Sequence, residues 1–520
     1  MFEAIFWGVL LRISQSALQG APFIFTGLCV AGLLHRLMGH AATKRLFGSN
    51  SVSSQLQSWL IGMVLPGCSL GVIPIVKQLR RSSISVGTIF AFALASPLFD
   101  PLSLLYGLTL SKPMTIVAFA FCSLAVLTIS GSLFDWWFPA TEVEMPEPTP
   151  TPPGVKRLLA ILVVMARESV SGTAGLIGVG LLGAGLLSVL LPPGSLQSSM
   201  NHQNALAPLT MTAVAIPAYA TPMTAMSQLG SMFQHGNSVG AAFILLTFGA
   251  GMNLGLLVWM VRNYGWKKAT VWFGLMVSIV LILSYGIEQP LYPKDIEPAD
   301  HSHAFDAYCG PFRSDYRPTI GYPAEIIRRL RQETQRHEFA GALFLAVTIS
   351  LGGFLKCLDR RWVIETWLNR PRAVVAGQPV GRWDMNVPGP VLALCGLGVI
   401  IAISIVGCFA YYPAPEEALE ELKVAKTEAL GGLLSRHFEH MGHWIPVCEA
   451  WNRRLQVGVY LRHGRLSDYH RMKSRILQNH LELLEHMAED QAPREDLARE
   501  IAATSRAFSR LVVAYREELQ

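Results

Sequence analysis

Apolar runs recur along this chain, and short polar loops separate them. Runs of about 20 apolar residues are long enough to cross a bilayer as helices. Spanning segments are expected over residues 21–37, 56–79, 86–110 and 114–138, then 170–191, 206–232, 239–261 and 269–285, and finally 340–355 and 391–410. Several of these are broken. Pro66, Gly67, Cys68 and Ser69 interrupt the second segment, with Gly71 just beyond. Ser96 and Pro97, then Asp100 and Pro101, interrupt the third. Pro217 and Pro222 break the sixth, and Gly249, Ala250 and Gly251 the seventh. Proline inside a helix removes a hydrogen bond and clashes with the preceding turn. In a bilayer such a break is tolerated only where it is buried in protein or lines a cavity.

The pattern also restarts. Residues 85–105, SVGTIFAFALASPLFDPLSLL, lie over residues 238–258, SVGAAFILLTFGAGMNLGLLV, at an offset of 153. Asp100 then falls on Asn253, and Pro66 falls roughly on Pro217. Duplicated units with interrupted segments in matching places are the best sequence pointer to a transport site. Past residue 412 the period changes. Apolar residues such as Cys448, Trp451, Leu455 and Val459 recur at helical spacing, as in an amphipathic bundle of about four helices.

Charge orients these segments. Lys44, Arg45 and residues 77–81 make the first-half loops basic, whereas loops 192–205 and 233–238 carry no Lys or Arg. The second half places its basic loop at 262–268. If residues 56–79 and their counterpart are re-entrant hairpins, the halves are inverted and every basic loop lies inside. The expected fold is an all-α polytopic membrane protein of two inverted repeats with broken helices. Two extra transmembrane helices and a C-terminal soluble helical bundle follow. The expected divisions are repeat 1 at 1–140, a proline-rich cytoplasmic linker at 141–154 and repeat 2 at 155–287. An extracytoplasmic segment at 288–338, the two extra spans within 339–411 and the bundle at 412–520 complete the chain.

Composition agrees. Charged residues are 15% of 520, against about 25% in soluble domains. The net charge of +6 bears on topology, and no basic-aromatic pattern points to nucleic acid. The eight cysteines form no CxxC pair. Cys309 and Cys448 lie in polar stretches, and whether they pair stays open. The N-terminus does not read as a cleaved signal. No P-loop or HExxH is present, and neither an enzyme nor a built-in ATPase is expected, and no cofactor.

The stretches SALQGAPFIFTGLCVAGLLH (16–35), PGCSLGVIPIV (66–76) and SVGTIFAFALASPLFDPLSLL (85–105) resemble the predicted-permease family that includes the ArsP-type exporters of trivalent organoarsenicals. Cys68, Ser69, Gly71, Ile73 and Pro74 match the family's first-break pattern. Leu70 stands where its second cysteine would be, and Asp100 where it tends to have asparagine. The resemblance covers about the first 290 residues and implies a small-solute permease. A soft As(III) centre favours thiolate ligands, so the missing cysteine bears directly on substrate.

The candidate solute-binding residues are Cys68, Ser69, Ser96, Asp100 and Asn253. Asp100 is an intramembrane carboxylate, which is functional by default, although it could instead cap a half-helix. Pro66, Gly67, Gly71, Pro97, Pro101 and Pro217 are expected to shape the breaks. His437, His440 and His443 form an HxxHxxH run, a weak metal candidate whose spacing fans over a third of a helix. Gly442 and Pro446 are expected to end that helix. The expected partners are a small solute and the lipid bilayer, with a coupling ion and a homo-oligomer left open. The alternative is a non-transport membrane scaffold or sensor presenting the C-terminal helices.

Overall fold

The computed structural model describes every residue except 1, 49–50, 112, 140–154, 193–194, 197, 294–302, 313–317, 319–320, 360–363, 370–386, 436–437, 491 and 518–520. The linker at 141–154 and His437 therefore lie outside the described residues. The rest is helical. In order come α1 (Phe2–Leu33), α2 (Gly39–Phe47), α3 (Val52–Val64), α4 (Val72–Arg81), α5 (Val86–Leu98), α6 (Pro101–Leu110) and α7 (Pro113–Trp137). Then follow α8 (Val155–Ser169), α9 (Gly172–Leu190), α10 (Ala207–Ala218), α11 (Pro222–Gln234), α12 (Val239–Ile244), α13 (Leu254–Tyr264) and α14 (Trp266–Leu291). The remainder is α15 (Tyr322–Glu333), α16 (Arg336–Leu358), α17 (Ile364–Asn369), α18 (Gly389–Tyr411), α19 (Pro415–Leu434), α20 (Phe438–His463), α21 (Asp468–Glu489) and α22 (Arg494–Glu517).

Among the described residues, six helices are long and apolar enough to cross a membrane, or up to eight if each of two bent pairs is one span. The first is longer than the sequence pattern implies. The helix starts at Phe2 and continues through a π-helical stretch, Leu34–Met38, into α2. Pro22 is accommodated inside it, and Gly341 of α16 packs so closely there that a Cβ would lie 2.6 Å from the ring. The bent pairs are α5 with α6, at 57°, and the Val239–Ala250 segment with α13, at 62°. Every residue of α5 is buried, as expected of a helix that is apolar all round.

Contacts within these pairs recur at the offset of 153. Ser85 and Ser238 each cap their helix, accepting from Thr88 N at 3.3 Å and Ala241 N at 3.1 Å. Asp135 of α7 accepts from Gly87 N at 3.0 Å, and Glu288 of α14 accepts from Gly240 N at 2.6 Å. A carboxylate at a helix N-terminus is favoured by the dipole and by the unpaired amides there.

The chain divides into two compact units, Met1–Leu104 with Met114–Ile403, and Leu105–Pro113 with Ser404–Gln520. In the second unit, α19 to α22 share one core that includes Leu422, Ile445, Cys448, Leu481 and Leu511. Tyr515 and Ser474 exchange a hydrogen bond at 2.9 Å inside it. Helix α20 does not end at Pro446 but runs through it.

Candidate functional site

Four interruptions define the centre of the first unit. The first, Leu65 to Gly71, separates α3 from α4. Cys68 is fully buried, and its sulfur accepts from Gly71 N at 3.3 Å. Ser96 donates to the Leu65 carbonyl at 3.1 Å, which ties α5 to this break. Two glycines make the approach feasible. A Cβ on Gly67 would lie 2.3 Å from Ser96 Oγ, and one on Gly27 would lie 1.9 Å from the Gly71 carbonyl oxygen.

The second interruption, Phe99 and Asp100, separates α5 from α6. The Asp100 carboxylate accepts from Ser103 N at 3.2 Å, so it caps α6. Asn253 does the same for α13, accepting from Leu256 N at 2.9 Å. Capping geometry, read from the sequence for Asp100 as the alternative to a transport role, is therefore what both residues adopt. It leaves Asp100 buried.

The third interruption runs from Tyr219 to Thr221. Tyr219 has φ +31°, an outlier for a bulky side chain. Ala220 N donates to the Gly249 carbonyl at 2.9 Å, which joins this break to the π-helical stretch Leu245–Ala250. The Tyr219 hydroxyl donates to Cys68 Sγ at 3.4 Å. This bond crosses from one half of the chain to the other. The fourth interruption, Gly251 to Asn253, sits beside α9. A Cβ on Gly180 would meet Leu70 Cδ2 at 2.5 Å and Asn253 Oδ1 at 3.0 Å.

The structure thus brings Cys68, Ser69 and Ser96 together at one break and sets Asn253 beside Leu70. Asp100 hydrogen-bonds within its own half-helix. Pro66, Gly67 and Gly71 lie in the first break. Pro97 and Pro217 lie within the last turns of α5 and α10, and Pro101 opens α6. Three buried polar atoms here have no hydrogen-bond partner among the described residues: Ser69 Oγ, Thr247 Oγ1 and Asn253 Nδ2. Buried polar groups are nearly always paired, so each such atom calls for an explanation. The set offers one thiol, hydroxyls, an amide and a carboxylate. Among the described residues no group of three or more His, Cys, Asp or Glu is placed to hold a metal ion. His440 pairs with Glu428 at 3.0 Å. Cys309 and Cys448 are each buried free thiols within their own units.

A family model described as a predicted permease matches residues 7–289. The chain belongs to the ArsP-type predicted-permease family. The chain is also similar to the UPF0718 protein YcgR of Bacillus subtilis, at 26% identity over 87 residues, 17% of this chain and 30% of that protein. A putative two-component membrane permease complex subunit of Streptococcus mutans is 22% identical over 87 residues, 17% of this chain and 29% of that protein. The matched stretch spans less than a third of either relative. No solved structure matches this chain. Membership of the ArsP-type family, with the apolar helices, makes this a multi-pass membrane protein of a predicted-permease family.

Sequence reading missed several members of this ArsP-type core. Asp135, near the end of the expected 114–138 span, and Glu288, at the head of the acidic segment 288–338, were legible as carboxylates at the same offset of 153 as Asp100 and Asn253. Lys77 of α4 meets Glu168 of α8 at 2.6 Å, a pairing between segments no periodicity links. The stretch 303–312 also folds back onto the core. Tyr308 donates to Gln228 of α11, and Arg12 of α1 donates to the Cys309 carbonyl at 2.9 Å.

Proposed function

We propose that this chain is an inner-membrane permease of two inverted repeats, moving a small solute through the point where the interrupted helices meet. The observation that carries the reading is the junction of the breaks. The Tyr219–Cys68 bond joins the halves, and three unpartnered polar atoms stand beside it. Transporter sites form where discontinuous helices of two repeats meet, and rocking of one repeat against the other gives alternating access. Cys68, Ser69, Ser96, Asn253 and Asp100 are the proposed solute contacts. Pro66, Gly67, Gly71, Pro97, Pro101 and Pro217 shape the breaks. Efflux of an organoarsenical or related soft solute fits Cys68, the one thiol at the centre, because soft centres favour sulfur.

The test is flux by purified protein in liposomes, with trivalent methylarsenicals, arsenite and divalent cations, for wild type and Asp100→Asn. Asparagine already performs this cap at position 253, so the substitution removes charge and keeps the cap. Arsenical flux abolished in the variant assigns the charge to transport. Unchanged flux leaves Asp100 a cap alone. No flux of any solute by folded protein moves the weight to a scaffold presenting α19–α22, the reading favoured by their separate core.

A further inference from the structure

A second polar cluster surrounds the π-helical turn Leu34–Met38, away from the breaks. Turns of this kind recur at functional sites. The Arg36 side chain is only 3% exposed, and its guanidinium meets Glu365 of α17 at 2.7 Å. Arg167 of α8 reaches the same carboxylate oxygen at 3.3 Å and holds Asp359 at 2.8 Å. His35, the neighbour of Arg36, faces Gln78 and Arg81 of α4.

Among the described residues the cluster is short of acceptors, and Arg36 Nε, Arg167 Nε and Gln78 Nε2 are buried donors without a partner there. A buried guanidinium N–H left unpaired is costly. Glu365 is the most exposed member, its side chain 48% exposed against 3% for Arg36 and 30% for Arg167. A carboxylate shared by two guanidinium forks occupies the position an oxyanion would take, and arginine matches phosphate geometry through two parallel N–H groups.

We propose that this cluster is a phosphate-binding site, in which a phosphate group displaces Glu365 from between Arg36 and Arg167. The site takes a phosphate either from the headgroup of an anionic phospholipid or from solution. Basic pockets between membrane helices hold anionic headgroups. The inference stands apart from the solute path and holds whether or not the breaks transport anything.

The test measures the unfolding midpoint of the full chain and its dissociation constants in two arms. One arm titrates inorganic phosphate into protein in neutral detergent. The other compares nanodiscs of phosphatidylglycerol with nanodiscs of phosphatidylcholine. Stabilisation by inorganic phosphate supports a soluble ligand, and stabilisation by phosphatidylglycerol alone supports a headgroup. Stabilisation in neither arm overturns the proposal. Three variants then separate a ligand site from a structural ion pair. Arg36→Gln and Arg167→Gln weaken binding by about tenfold or more, each losing a charge-assisted bond. Glu365→Gln strengthens it, because the competing carboxylate is gone. A loss in Glu365→Gln equal to that in the arginine variants overturns the displacement. Should Arg36→Gln fail to fold, Arg167→Gln and Glu365→Gln still decide.

Discussion

Asp100 and Asn253 show how one backbone task is filled by two chemistries. Both accept from the amide three residues on, at 3.2 and 2.9 Å. Asparagine and aspartate rank equally as N-caps, and loss of either to alanine costs about 0.5–2 kcal/mol. Asp100→Ala is thus expected to lower the unfolding midpoint in detergent while Asp100→Asn leaves it near wild type. Equal losses would place the stabilising effect in the charge. Cys448 makes a different kind of prediction. Burial pushes its thiol from about 9 up to about 12, with Glu449 adding to the shift and Lys426 opposing it. The unfolded chain releases this proton first as pH rises. Stability is therefore complete below about pH 9 and is lost between 9 and 12, at up to about 1.4 kcal/mol per pH unit. Alkylation followed by mass spectrometry should find Cys448 protected at pH 10, and rapid labelling there would refute the shift.

At the scale of elements, the glycines beside the capping carboxylates are set by close approach. A Cβ on Gly87 would lie 2.8 Å from the Gly131 carbonyl oxygen, and one on Gly240 would lie 2.6 Å from that of Ser284. Neither obstacle is a flexible side-chain end. Gly87→Ala and Gly240→Ala should each cost about 1–3 kcal/mol, as overpacking does, measured as a drop in unfolding midpoint in detergent. The breaks themselves were legible, because Pro66, Pro97 and Pro222 announce where a helix cannot continue. The partners across the breaks were not. Tyr219 meets Cys68 through tertiary packing that no local pattern encodes. Pro446 misled for the opposite reason: a local rule predicts an end that the helix α20 passes through.

For the whole molecule, the offset of 153 carried by SVG and its sequel recurs in the contacts of Asp135 and Glu288. Orientation is a separate matter. In the inverted arrangement, the loop after α4 and the loop after α9 face opposite sides of the membrane. Ser83→Cys and Ser195→Cys, labelled in intact cells by a membrane-impermeant maleimide, should react from different sides. Reaction of both from one side would reject inversion.

The paired caps have one more consequence. The two halves match in geometry at positions 100 and 253 but differ by a carboxylate. A carrier with identical halves would rest with equal ease open to either side. An ionisable group in one half only breaks that degeneracy, and whenever it carries charge it gives the membrane voltage a handle. A full elementary charge carried across 100 mV is worth about 2.3 kcal/mol. Under the proposed rocking, even a fraction of that displacement would let the cell's potential bias which side the path faces at rest, and neutralising Asp100 would remove its share of that response.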